Sequence, residues 1–402
     1  MPAGLFKSAP SLRCYVPTMP AKKVPAPHLI TDPGDLRSLC QRLGEESRIA
    51  FDTEAASFHR YVDRVYLVQV STDRETALVD PLQVANLAPL GRLLSDPQIQ
   101  IVFHDADYDL RILDRDYGFH ARNIFDTRVA AQLAGEPSVG LGALLEKFFH
   151  VRVDKKYQRA DWSRRPLTPG MIAYAADDTR YLPALRDTLE KRLVSLGRLE
   201  WAREEFQRLE QIRWTQTGSD VEDAYLRVKG AKALGRRQLA VLRELYAWRD
   251  ATASKLDRAR FRVVGNSALL AVAKASPHGP RQLAKVDGLS ENLARRYGKE
   301  LIAAVERGGA VPESELPRVR RSKRPEPDPA YDQRLERLKQ LRNERAEAVG
   351  LDPGLVCPNG SLQAVARAEP ESKSALGRVE ELRRWQREAI GDQAILAAVK
   401  GE

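Results

Sequence analysis

Three short stretches of this 402-residue chain place carboxylates where they could act on a substrate. In Phe51-Asp52-Thr53-Glu54-Ala55 the two acids stand two residues apart at the end of a β-rich run. Side chains alternate across a strand, so Asp52 and Glu54 project to the same side. Like charges held together raise one another's pKa unless a cation neutralises them. Mg²⁺ or Mn²⁺, hard ions that prefer carboxylate and water oxygen, would do so. The competing reading is an exposed acidic strand end, and the pair alone does not decide.

The second stretch is Asp105-Ala106-Asp107-Tyr108-Asp109-Leu110, directly after the apolar run IVFH. An acid where a strand passes into a helix can reach the mouth of a sheet. Three acids compete here: Asp105 could cap the helix, Asp107 could lie in its solvated first turn, and spacing does not choose. The third stretch is Tyr174-Ala175-Ala176-Asp177-Asp178. On a helix Tyr174 and Asp178 share a face, while Asp177 points about 100° away. A tyrosine hydroxyl beside a metal-binding carboxylate can orient a water for attack; a buried tyrosine with a surface acid is the plainer alternative.

Positioning these groups needs strands and helices in a particular order. Residues 48–52 (RIAFD), 66–72 (YLVQVST), 76–80 (TALVD) and 99–104 (IQIVFH) read as strands, the second and third joined by a polar hairpin. Helical patterns occupy 32–43, 109–117, 127–133 and 141–149, then a long stretch from 169 to about 209. Early antiparallel strands followed by alternating helix and strand predict a mixed sheet flanked by helices.

Taken in order, FDTEA, HDADYDL and YAADDTRYL resemble the three exonuclease motifs of the DEDD superfamily in its tyrosine branch. The resemblance spans roughly residues 31–210 and implies an α/β, ribonuclease H-like exonuclease domain. It assigns Asp52, Glu54, Asp109 and Asp178 as ligands of two divalent ions, Mg²⁺ or Mn²⁺, and Tyr174 as the catalytic tyrosine. The histidine branch would place its histidine where this chain has Ala173. Asp109 is preferred because the family sets its acid directly before a leucine. Asp105 and Asp107 are extra acidity, and Asp126, in the family-like Asn123-Ile124-Phe125-Asp126-Thr127, reads as structural. Residues 155–166 (KKYQRADWSRRP) mix cations with aromatics. Tyr157, Arg159 and Trp162 are candidates for gripping a single strand by charge and base stacking, with a loop around a half-buried tryptophan as the alternative.

Beyond about Gly235 strand signals vanish, and the chain repeats itself at a shift of 93 positions. Leu242, Leu245 and Arg249 fall on Leu335, Leu338 and Arg342; Asn266, Pro277 and Gly298 fall on Asn359, Pro370 and Gly391. After that glycine one residue slips in, and Ala303-Ala304-Val305 matches Ala397-Ala398-Val399. Two small all-α domains are expected, resembling the helicase-and-ribonuclease-D C-terminal domain, the second copy diverged. An exonuclease domain followed by two such units resembles the ribonuclease D family across nearly the whole chain. The expected plan is an N-terminal extension without order (1–28), the exonuclease domain (29–210), a connector (211–234), a helical domain (235–310), a basic Pro-rich linker (311–330) and the second helical domain (331–402).

The net charge of +10 suits a polyanionic partner without specifying one. Cys14, Cys40 and Cys357 are too scattered for a disulfide framework or a zinc site. Gly140-Leu141-Gly142 lacks the later glycine of a dinucleotide loop, no GKS or GKT phosphate loop occurs, and the six histidines have no ligand spacing. No apolar run approaches a membrane span and no signal-peptide core stands at the N-terminus, where Met19 is a candidate start. The expectation is a cytoplasmic, monomeric 3′→5′ exoribonuclease without a nucleotide cofactor. Its partner would be RNA with a free 3′ end, the resemblance implying precursor tRNA. A DNA-repair exonuclease and a catalytically silent RNA scaffold are the competing readings.

Overall fold

The computed structural model of the chain describes residues 26–215, 223–319 and 328–402. The candidate start at Met19, nearly all of the N-terminal extension, part of the connector and the arginine-rich centre of the linker lie outside them. Six strands form one mixed sheet: β1 (His28–Ile30), β2 (Arg48–Ala55), β3 (Val65–Ser71), β4 (Thr76–Val79), β5 (Gln100–Phe103) and β6 (Ile124–Asp126). Their spatial order is β1-β4-β3-β2-β5-β6. β2, β3 and β4 pair antiparallel, whereas β1 joins β4, and β5 joins β2 and β6, in parallel. Every residue of β3 is buried, as a strand covered on both faces requires.

Helices α1 (Pro33–Leu43), α2 (Ala88–Ser95), α3 (Asp107–Tyr117), α4 (Thr127–Leu133), α5 (Leu141–Phe149), α6 (Pro169–Arg180), α7 (Leu182–Ser195) and α8 (Leu199–Leu209) flank the sheet. The expected start of α1 moves by one residue because Asp32 is its cap, accepting from the Gly34 and Asp35 amides. The long helical stretch after Pro169 is three helices: Pro183 opens α7, and Gly197, at φ 67°, turns the chain into α8. Strands β1 and β6 and helix α2 were not expected; the strands are three residues long, too short to carry a period.

The helical half consists of α9 (Arg236–Lys255), α10 (Arg260–Val263), α11 (Asn266–Ala275), α12 (Pro280–Leu283) and α13 (Glu291–Ala310). The second copy has α14 (Pro329–Val349), α15 (Pro353–Val356), α16 (Asn359–Ala368), α17 (Lys373–Leu376), α18 (Arg384–Ile390) and α19 (Asp392–Lys400). The duplication extends to single hydrogen bonds. Arg249 donates to the Val264 carbonyl and Asn266 Oδ1, at 3.1 and 2.7 Å. Arg342 donates to the Cys357 carbonyl and Asn359 Oδ1, at 3.2 and 2.8 Å. The long α13 has become α18 and α19, broken at Gly391 with φ 99°, which is where the repeat slips.

The two units attach differently. The second merges its core with the exonuclease side, where Leu185, Trp201 and Phe206 join Leu338, Leu362 and Trp385. The first keeps its own core and meets the exonuclease at the loop after β2: Tyr61 Oη donates to Asp250 at 2.8 Å and the Ala259 amide to the His59 carbonyl at 3.2 Å. Cys40 and Cys357 are free thiols. Among the described residues no helix is long and apolar enough to cross a membrane.

Candidate active site

Asp52 and Glu54 stand near the end of β2, opposite Gln69 and Leu67 of β3, and the register shifts just after Glu54. Such a bulge re-aims the strand end. Gln69, the same-face neighbour of Asp52, is fully buried and its amide has no hydrogen-bond partner. β5 enters α3 through Asp105, which adopts a left-handed φ of 69°. That turn is held by the buried Asp126 carboxylate, which accepts from the amides of Asp105, Ala106, Arg128 and Val129 at 3.2, 2.8, 2.8 and 3.1 Å. Asp126 therefore caps α4 and places the start of α3, the structural role its sequence context implies. Asp109 lies in the first turn of α3.

α6 packs on β2, β3 and β4 and carries both Tyr174 and Asp178. Its end is pinned by a chain of hydroxyls, Thr179 to Ser71 at 2.7 Å and Ser71 to Thr76 at 2.9 Å. Thr179 follows Asp178 directly, so this bond fixes where that carboxylate points.

The three competing acids of the second stretch separate cleanly. Asp105 is ion-paired with Arg128, and Asp107 with Arg111 at 2.7 Å one helical turn away. Asp109 is only 7% exposed and accepts a hydrogen bond from the Thr53 hydroxyl. Burial raises Asp109 to about 7 against these bonds. Burial and the charges of Asp177 and Asp109 raise Asp178 to about 7, the Tyr174 hydroxyl pulling the other way. Asp52 stands well above the usual carboxylate range through burial and the charges of Asp109, Asp178 and Glu54. Glu54 does so through burial, Asp178 and Asp109. Tyr174 is raised too, by burial and then by Asp178, Glu54 and Asp52.

These mutual effects bring Asp52, Glu54, Asp109, Asp178 and Tyr174 into one electrostatic centre drawn from β2, α3 and α6. The ion pairs of the described residues include none of the four acids. Their side chains are not drawn into a closed ligating cluster, and no other group of three metal-ligating residues is either, among the described residues. The donor set nevertheless fits hard divalent ions: a buried Asp109 and three half-buried carboxylates, like in charge and without an ion-pair partner among the described residues.

The 155–166 segment corrects one expectation. Trp162 is 1% exposed and packs 6.0 Å from the Tyr174 ring, so its face is closed to a base. Tyr157, half-buried, lies 6.2 Å from Tyr174 on the other contact and rests over Gly170, where a Cβ would collide with it. The two rings brace Tyr174. Arg159 is exposed, its guanidinium 5.1 Å from the Phe58 ring. The loop is tied down by Arg165, which donates to Asp80 at 2.5 and 2.8 Å and to the Tyr66 carbonyl at 2.7 Å. Thr53, the donor to Asp109, escaped sequence reading because its alternation places it away from Asp52 and Glu54. His104 is a packed, hydrogen-bonded residue, 2.9 Å from the Thr127 hydroxyl, with burial lowering it to about 4.

Residues 27–194 match the family of 3′-5′ exonuclease domains, and residues 238–305 and 332–399 each match the HRDC domain. Ribonuclease D of Granulibacter bethesdensis is 33% identical over 94% of both chains. The structure of Escherichia coli RNase D, described as an exoribonuclease involved in structured RNA processing, superimposes with a TM-score of 0.68. It is 28% identical, over 93% of this chain and 99% of that one. The catalytic core of RRP6 from Trypanosoma brucei is 30% identical with a TM-score of 0.63, over 73% of this chain and 82% of that one. With its mixed-sheet exonuclease fold, its two HRDC units and relatives matched nearly end to end, the chain belongs to the ribonuclease D family of 3′→5′ exoribonucleases.

Proposed function

We propose that this exoribonuclease trims the 3′ ends of RNA, precursor tRNAs foremost, releasing nucleoside 5′-monophosphates one at a time. The observation that supports the reading is the set of four desolvated carboxylates, all raised above the ordinary range, in which Asp109 and Asp178 raise Asp52 and Glu54 and no ion pair of the described residues includes any of the four. Asp52, Glu54, Asp109 and Asp178 would hold two divalent ions, Mg²⁺ or Mn²⁺. When bound, such ions activate water and stabilise charge on the leaving 3′-oxygen.

The chain's own residues supply position and proton placement. Tyr174 stays a neutral phenol, because burial and then the surrounding acids push its pKa up, so it orients the attacking water and is not the base that deprotonates it. Its ring is held between Tyr157 and Trp162, which keeps the hydroxyl from swinging. Glu54 also receives the terminal ribose hydroxyl. A structured RNA body as substrate fits the likeness to Escherichia coli RNase D, an exoribonuclease involved in structured RNA processing. The enzyme works as a cytoplasmic monomer.

The test is gel-resolved digestion of a 3′-extended precursor tRNA and its DNA analogue with Mg²⁺, Mn²⁺ or EDTA. Stepwise, metal-dependent shortening of RNA alone is the expected result. Asp52→Asn and Asp178→Asn should abolish cleavage while RNA binding persists; full cleavage by either removes the assignment. Preference for DNA would move the chain to repair, and binding without cleavage would make it a scaffold.

A further inference from the structure

The loop leaving β2 carries Phe58, whose ring meets Phe261 of the first helical unit edge to face, centroids 6.0 Å apart at 79°. Neither ring is covered: Phe58 is 43% exposed and Phe261 52%. Exposed apolar side chains are ordinary when scattered singly, but a contacting pair contributed by two separate units forms a joint apolar surface. Arg159 lies 5.1 Å from the Phe58 centroid and Arg262 6.0 Å from that of Phe261. Arg262 also donates to the Phe58 carbonyl, which locks the two units together under the rings.

The charge at this junction is one-sided. Asp161 is engaged by Arg60 and Arg164, Asp257 by Arg60, and Asp250 by Arg260. Arg159 and Arg262 form no ion pair among the described residues, so they remain the uncompensated cations beside the rings. Exposed aromatic rings flanked by guanidinium groups without a carboxylate partner suit a polyanion with stackable planar groups, which is single-stranded nucleic acid. The surface is also tied through short chain segments to the residues of the carboxylate centre. Phe58 stands four positions after Glu54, a span of at most about 14 Å. On the other side Arg159 follows two residues after Tyr157, whose ring packs on Tyr174.

We propose that Phe58 and Phe261, with Arg159 and Arg262, form a stacking subsite for one nucleobase of the RNA 3′ tail, upstream of the bond being cut. This rests on the carboxylate centre assigned above. Phe58 and Phe261 present no hydrogen-bonding groups, so the subsite reads the presence of a base and not its identity. One ring comes from each unit, so the subsite exists only while the first HRDC unit is docked, and that unit becomes part of the substrate path.

The test is anisotropy binding of the full chain, with EDTA to hold off cleavage, to single-stranded oligoribonucleotides carrying one abasic nucleotide at successive positions from the 3′ end. The expected profile shows one position at which the missing base weakens binding roughly 5- to 150-fold, the loss of a single stacked base. Phe261→Ala and Phe58→Ala should each flatten the profile there, and Phe261→Trp should restore it. The profile remaining in both alanine variants, or no sensitive position in the unsubstituted chain, overturns the subsite. Metal-dependent cleavage of the unmodified oligomer separates this from the parent reading. Cleavage with a flat profile removes the subsite alone, and a sensitive profile without cleavage removes the carboxylate centre alone.

Discussion

Trp201 of the exonuclease and Trp385 of the second HRDC unit stack with centroids 5.4 Å apart and planes inclined by 27°. The Trp385 indole N–H donates to Glu205 at 2.5 Å, while Glu204 accepts from the Arg384 and Trp385 amides at 2.8 and 2.9 Å and caps α18. Arg198 adds a bridge, donating to the Leu133 and Val349 carbonyls. The second unit is thus built into the exonuclease core, whereas the first meets the loop after β2. Trp385→Ala should cost about 3–5 kcal/mol, as large-to-small changes of buried aromatics do. Urea unfolding followed by far-UV circular dichroism would show it, and an unchanged midpoint would mean that the interface adds nothing to stability.

Thr53 is nearly buried and its hydroxyl donates to Asp109. Thr53→Val keeps the shape and removes the donor. Apparent metal affinity or turnover should fall by about 10- to 100-fold, the usual effect of losing a group that orients a ligand. Thr53→Ser should recover most of it. Titration of activity with Mn²⁺ at fixed RNA distinguishes this from general destabilisation, which serine would not rescue.

Tyr174→Phe retains the ring packed between Tyr157 and Trp162 and removes only the hydroxyl. The expected result is a fall of about 10²-fold in kcat at nearly constant KM. Because Tyr174 is raised above its ordinary range, the alkaline side of the pH profile should be the same in both proteins. A limb lost in the variant would make Tyr174 the titrating base.

Burial above all raises Asp109 and Asp178 from the ordinary 3.8 of an aspartate to about 7, so the metal-free protein binds more protons folded than unfolded at these sites. Stability then falls as pH rises across that window, the protonated forms being the favoured ones. Divalent ions should reverse the penalty, because binding to the folded state adds stability and competes with protons. Thermal melts with EDTA or Mn²⁺ should therefore differ more above pH 7 than below pH 5. An equal metal-induced shift at both would show that these carboxylates are not where the ions bind.

Much of this molecule is local and so legible in the chain. The order of the three acidic motifs, the bounds of α4 and α5 and the 93-position repeat depend on residue type, period and punctuation within a few turns. Even the slip in the repeat has a local cause, the positive φ of Gly391.

Tertiary structure decided what depends on residues distant in sequence. Asp105, Asp107 and Asp109 are alike by composition; Asp109 differs because Thr53, fifty-six positions earlier, meets it in the interior, while its neighbours find arginines. Trp162, a candidate for base stacking by its basic loop, is core, whereas Phe261 of the first helical unit is exposed at the junction. The merger of the second unit with the exonuclease was likewise hidden, since the apolar faces of the two copies follow one period. Burial is set by what the fold brings against a side chain, and that neighbour is seldom nearby in the chain.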